Sequence, residues 1–200
     1  MTTSLFPHKF NKCTLPESVI LGIAGAVLNV LAVRLADTVH IPMYMDSIFT
    51  VACSFLSLTC GLICATGFEL IVLLLNWPDS ENVIFLICEV TVVIAVRICV
   101  RQSKKGITPF SLTFLALALI ISIAIEGGII YSFLTAYFDY IERADVNSFT
   151  FSLYINNIPM LLSSIFGRLP LSTLDKTFAT IAGFFIAVQT EKALTALHRA

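Results

Sequence analysis

Hydrophobic residues in this chain form long unbroken runs rather than alternating with polar ones, and the breaks carry proline, histidine, tryptophan or clustered charge. Such runs predict helices apolar on every face, the pattern of membrane spans. The first span covers 18–39, bounded by Pro16 before it and by His40-Ile41-Pro42 after it, where proline starts or stops a helix cheaply. Asp46 to Asn76 is a further apolar run of 31 residues. As one helix it would measure about 46 Å, too long for a perpendicular crossing of roughly 30 Å and too short for two. It divides near Ser57 to Gly61, giving a short second span over 46–57 and a third over 59–76 that ends at Trp77-Pro78.

The fourth span, 82–100, leaves through Arg101, Lys104 and Lys105. The fifth, 109–138, opens at Thr108-Pro109 and carries Tyr131, Tyr137 and Tyr140 toward its far end as an aromatic belt. The segment from Ser148 to Lys192 is interrupted by Gly167-Arg168-Leu169-Pro170. It reads as an interfacial or re-entrant helix over 148–169 followed by a last span over 171–190. The expected fold is an all-α bundle of six spans in a single membrane domain, with seven as the alternative.

Charge sets the orientation. Lys9 and Lys12 share a side with Arg101, Lys104 and Lys105, whereas the loops 77–82 and 139–148 are acidic, with Arg143 their one basic residue. By the positive-inside rule the tail 1–17 and the C-terminus, with Lys192 and Arg199, are both cytoplasmic in a multi-pass protein of the cell membrane. No apolar core precedes the first span, so no cleaved signal peptide is expected.

Composition narrows the function. The chain is 58% hydrophobic and 12% charged, with a mean hydropathy of +0.93; soluble domains hold about 25% charged residues. Twelve Lys and Arg against 13 Asp and Glu leave a net charge of -1 and no basic stripe for nucleic acid. Two hundred residues hold at most about seven spans, leaving no room for a separate catalytic domain. Five of the six cysteines lie in hydrophobic runs without a CxxC pair and read as small apolar fillers rather than as metal ligands or disulfides. HExxH, GxSxG and P-loop motifs are missing, and the three histidines are far apart in sequence. No catalytic residue, metal site or cofactor is therefore expected.

Ionisable residues inside spans carry the remaining signal, because each costs at least about 2.5 kcal/mol at the membrane centre. Arg34 and Asp37 are three residues apart in the first span, and Asp46 opens the second. Glu69, Glu89 and Glu126 lie in the third, fourth and fifth, and Asp175 and Lys176 in the last; Arg97 is placed to snorkel to the cytoplasmic headgroups. The outer half thus gathers more acids than bases. Two readings follow: a paired network that orients helices, or an outward-open pocket walled by Tyr44, Trp77, Tyr131, Asn156 and Asn157. An acid surplus suits a neutral or cationic amine-bearing ligand such as thiamine. Small residues form a second pattern: Gly22 with Ala26 and Ala32 with Ala36 let another helix approach, most simply one of the chain's own. Gly127-Gly128 beside Glu126 predicts a bend or a close contact.

The stretch from Ala24 to Ile71, with Asn29, Pro42, Asp46, Thr50, Gly61 and Gly67, resembles the opening of the substrate-binding S components of energy-coupling factor (ECF) transporters. The ending LPLSTLDKTFATIAGFF resembles the Asp-Lys-bearing last helix of those proteins through Asp175 and Lys176. The resemblance implies a six-helix subunit that captures a vitamin or similar micronutrient from outside. Its partners would be a transmembrane coupling subunit and two ATPase subunits. It also implies a small-residue contact face for the coupling subunit on the first helix, nearest here to Gly22 and Ala26 or Ala32 and Ala36. The chain departs from the family in lacking the Gly-Pro opening of the third helix, with Ser57-Leu58-Thr59-Cys60 in its place. The nickel and cobalt members are disfavoured because no His follows Met1. The rival classes are a structural or morphogenetic membrane protein similar to rod-shape factors, a sensory membrane module, and an intramembrane enzyme.

Overall fold

The computed structural model of the chain describes residues 6–11, 13–41, 43–75, 81–138 and 144–198. They form an all-α bundle: α1 (Leu15–Val39), α2 (Ile48–Leu56), α3 (Leu58–Leu75), α4 (Leu86–Gln102, preceded by a 3₁₀ turn), α5 (Pro109–Phe138), α6 (Ala144–Ile155) and α7 (Met160–Leu197). Five helices are long and apolar enough to cross a membrane: α1, α3, the stretch 83–102, α5 and α7. Large apolar side chains such as Leu31, Leu74, Ile87, Phe114 and Ile121 stand exposed around the outside. A surface of that kind is covered by lipid in a multi-pass membrane protein.

Boundaries follow local chemistry. The α1 helix starts three residues earlier than expected, because Glu17 reaches back to accept a 2.7 Å bond from the Thr14 amide while Pro16 sits in the first turn, where its missing N–H is harmless. It stops at His40, which takes a left-handed conformation at φ 57°. The helix α5 starts at Pro109 as expected.

Two expectations need correction. The division into a 148–169 helix and a 171–190 span is wrong: α6 ends at Ile155, and α7 runs unbroken through Pro170 for 38 residues. Proline deletes one backbone donor and crowds the turn before it, but Pro170 lies on an exposed face of α7 where its ring has room. The one carbonyl it leaves without a helical donor is that of Phe166, and the ladder resumes in the next turn, where Thr173 also donates its hydroxyl to the Leu169 carbonyl at 2.7 Å. The run 46–57 is not a full span either. Its helix, α2, has nine residues and covers about 13 Å, less than half of a hydrocarbon core.

That short helix is the hub of the bundle. Every α2 residue except Phe49 is buried, so α1, α3, α4 and α7 enclose it. Ser57, in an extended conformation, turns the chain straight into α3, and the two helices pack as an antiparallel hairpin in which Thr50 meets Cys64 and Ser54 meets Gly61. Gly61 leaves the space that Ser54 fills, and a Cβ there would collide with it. Helix α7 comes as close on another side, where a Cβ on Gly183 would stand 2.9 Å from the Ile48 carbonyl.

A nine-residue helix has most of its polar ends unpaired by its own ladder, and hydrocarbon offers no replacement partners. Other helices supply them. Asn29 of α1 accepts a 2.9 Å bond from the Phe49 amide and donates one of 2.9 Å to the Thr50 hydroxyl. Arg97 of α4 does not snorkel to the headgroups as expected; its Nη1 donates to the carbonyls of Ser54 at 3.0 Å and Phe55 at 3.2 Å. A cation at that terminus also complements the helix dipole.

Replacing Arg97 by Met should therefore lower the unfolding free energy by on the order of 2 kcal/mol, the cost of stranding buried carbonyls. Thermal unfolding in detergent measures it, with Arg97→Lys expected in between. A Met variant as stable as the parent would show that the α2 terminus finds other partners.

Candidate functional site

The other end of α2 carries the charges. Past His40 at the end of α1, the non-helical residues 43–46 are half-buried and Ser47 is buried, so α2 starts inside the bundle. Irregular backbone survives at such depth only within protein or against water. Met45 takes φ 55°, and its amide donates to Asp175 Oδ1 at 2.8 Å, fixing the last turn before α2. Asp46 and Ser47 follow at the N-terminus of α2, where a carboxylate is favoured by the helix dipole.

Lys176 of α7 meets them. Its ammonium, 3% exposed, lies 3.0 Å from Asp46 Oδ1 and donates to the Ser47 hydroxyl at 2.7 Å. Asp175 Oδ2 is 2.7 Å away, an ionic contact outside hydrogen-bonding angles, and Asp175 is 1% exposed. Asp46 keeps 29% of its side chain accessible and is the part of the group that opens outward. Buried Glu89 of α4 is within electrostatic reach of Asp46 and Lys176 and lies beside the Thr50 hydroxyl. Buried Glu69 of α3 is within reach of Asp46. Asp46, Asp175 and Glu89 thus face one ammonium, with Glu69 reaching the group through Asp46. Glu89 Oε2 is fully buried and has no hydrogen-bond partner among the described residues.

A second, smaller polar group lies between α4, α5 and α7. Glu126 accepts a 2.9 Å bond from the Thr91 hydroxyl. Arg168 of α7 is buried, with its guanidinium 5.3 Å from the centre of the Phe85 ring and 5.6 Å from that of Tyr131. It fits only because Gly127 has no side chain, since a Cβ there would stand 2.9 Å from Nη1. The Gly127-Gly128 pair therefore marks a close contact within an unbroken helix. Cys88 lies between the two groups, in electrostatic reach of Glu89, Lys176, Glu126 and Arg168.

The expected site residues divide accordingly. Asp46, Glu69, Glu89, Asp175 and Lys176 come together, and Tyr44 is half-buried in the segment beside them. Glu126 is bonded to Thr91 instead, next to the Gly127 against which Arg168 packs, and Tyr131 lies under the Arg168 guanidinium. Arg34 and Asp37 are exposed on α1. Asn156 and Asn157 are exposed in the turn after α6, away from any buried wall. Trp77 lies outside the described residues. Among the small residues of α1, Gly22, Ala26 and Ala36 are buried and Ala32 half-buried. Gly22 faces Ile63 of α3, and Ala26 faces Gly67, so this face packs inside the chain.

Residues that sequence reasoning did not assign to the site include Ser47 and Arg168. Arg168, Ser172 and Lys176 recur every four residues, the spacing of one buried α7 face, and only the supposed break at Pro170 hid it. Among the described residues no three His, Cys, Asp or Glu side chains converge closely enough to hold a metal ion. No family model matches the chain, and neither a curated protein nor a solved structure matches it.

Removing one partner of a buried ion pair strands the other, a loss of about 3–5 kcal/mol. Lys176→Met should destabilise the protein on that scale, and Lys176→Met with Asp175→Asn should recover a measurable part of it. A double-mutant cycle by denaturant unfolding reads the coupling. Additive effects would contradict the pairing.

Proposed function

We propose that this protein is a membrane-embedded binding subunit for a small cationic or amine-bearing nutrient, taken up at the Asp46–Glu89–Lys176 cluster. The observation that carries the reading is the imbalance of that cluster: Asp46, Asp175 and Glu89 face the single Lys176 ammonium, and a buried Glu89 oxygen is left without a hydrogen-bond partner among the described residues. Buried charges are costly unless matched, so a cationic ligand close to Glu89 would supply what the chain lacks. The accessible part of Asp46 gives such a ligand a way in.

The resemblance to S components extends this reading. A vitamin or similar micronutrient would be the cargo, and transport would need a coupling subunit and two ATPases supplied separately. With Gly22, Ala26 and Ala36 covered by the chain's own helices, that docking would fall to Ala32 and the outer surface of α1. One observation favours a second reading, a structural membrane protein with an ion-pair core: Lys176 already has three close partners.

Calorimetry on the purified protein, with thiamine as a cationic probe and pantothenate and folate as anionic ones, separates the two. Binding of the cationic probe, weakened about tenfold or more in Glu89→Gln while the variant still folds, is the expected result. Binding of only an anionic probe would overturn the charge argument, and binding of none would favour the structural reading.

A further inference from the structure

The end of the bundle opposite the cluster is closed by a piece of chain belonging to no helix. Residues 6–11 lie across it. Phe6 stacks on Phe184 of α7 with ring centres 5.2 Å apart, and Phe10 stacks on Phe55 of α2 at 5.3 Å. These two aromatics cover the C-terminal end of α2, where Arg97 holds the last carbonyls. The backbone makes a single two-bond bridge to the α4–α5 loop: the His8 amide donates to Ile107 at 3.0 Å and the Ile107 amide to His8 at 2.7 Å. Gly106, at φ 109°, lets that loop pass directly beneath His8; a Cβ there would stand 3.0 Å from the His8 carbonyl.

The remaining polar hold converges on one residue. Glu191, 8% exposed on α7, has one oxygen 2.7 Å from His8 Nε2, and the other accepts the Asn11 amide. A segment without helix, seated by the rings of Phe6, His8 and Phe10, bridged by two backbone bonds and latched by one carboxylate, has a smaller set of holds than the packed helices around it. Local opening is governed by just such sparse contacts.

We propose that residues 6–11 are a strap that opens and closes this end of the bundle, with Glu191 as its latch. Opening uncovers Phe55 and Phe184 and so exposes the foot of α2, whose head holds the charged cluster about 13 Å away. The strap itself follows from the packing alone. Only its use, as the gate through which a bound solute leaves toward that side, rests on the proposed nutrient-binding function.

The test uses the full-length protein in detergent or liposomes with its native cysteines in place, and follows maleimide labelling residue by residue by mass spectrometry. Ala187, fully buried one turn from both Phe184 and Glu191, is changed to Cys as the reporter; native Cys64, equally buried in α3, is the internal control. Labelling tracks the population of the open form. Adding Glu191→Gln should speed reaction at position 187 by about tenfold, the scale of a lost charge-assisted hydrogen bond, and leave Cys64 unreactive. Unchanged labelling at 187 would overturn the strap, and so would a parallel rise at Cys64, which would make residues 6–11 part of the global fold. Hydrogen exchange of the single variant Glu191→Gln gives a readout independent of Ala187: faster exchange at the His8 and Ile107 amides with α2 still protected supports the strap, and uniform exchange overturns it. None of these outcomes involves a solute, so they stand apart from failure of the binding experiment.

Discussion

The interaction on which the structure depends is the hydrogen bonding of α2's two ends. A nine-residue helix inside a bundle that lipid surrounds must find side chains for its orphan amides and carbonyls, because its own ladder leaves most of them unpaired and hydrocarbon offers no partners. Asn29 supplies the head and Arg97 the foot, from helices that flank α2 on different sides. The extended conformation at Ser57 and the left-handed one at Met45 isolate α2 from the helices before and after it. It is therefore held by its neighbours, not by continuity of the chain.

The charged cluster is a consequence of that arrangement. Because α2 covers less than half the membrane, its first residues, Asp46 and Ser47, are brought inside the bundle rather than left at its rim. Lys176 and Asp175 on α7 and Glu89 on α4 then meet them at a depth where charges must be answered. One polar system thus serves two ends: side chains from α1 and α4 fix the helix, and the helix carries the carboxylate that organises the rest.

Much of this was legible in the runs of hydrophobic residues. The starts of α3 and α5 were readable to within a residue, because Ser57 and Thr108-Pro109 punctuate long apolar stretches. The length of 46–76 announced a division, and the hinge fell at Ser57. Proline misled at position 170, since a ring on an outward face costs one backbone bond and does not end a helix whose flanking turns are held by packing. Side-chain facing was the least readable feature. In helices apolar all round, nothing in the sequence distinguishes Arg34, which points outward, from Arg168, which lies between two aromatic rings. Glu69 and Glu89 share Asp46 as a neighbour, whereas Glu126, bonded to Thr91, shows that depth along a span does not determine which neighbours a residue meets.

The most direct measurement is the sidedness of Asp46. In sealed proteoliposomes carrying Asp46→Cys, a membrane-impermeant thiol reagent should modify position 46 from the face opposite the N-terminal strap and from that face alone, because the head of α2 opens to water there. Modification from the strap side, or none from either side, would contradict a half-length helix that carries an accessible charged site into the membrane.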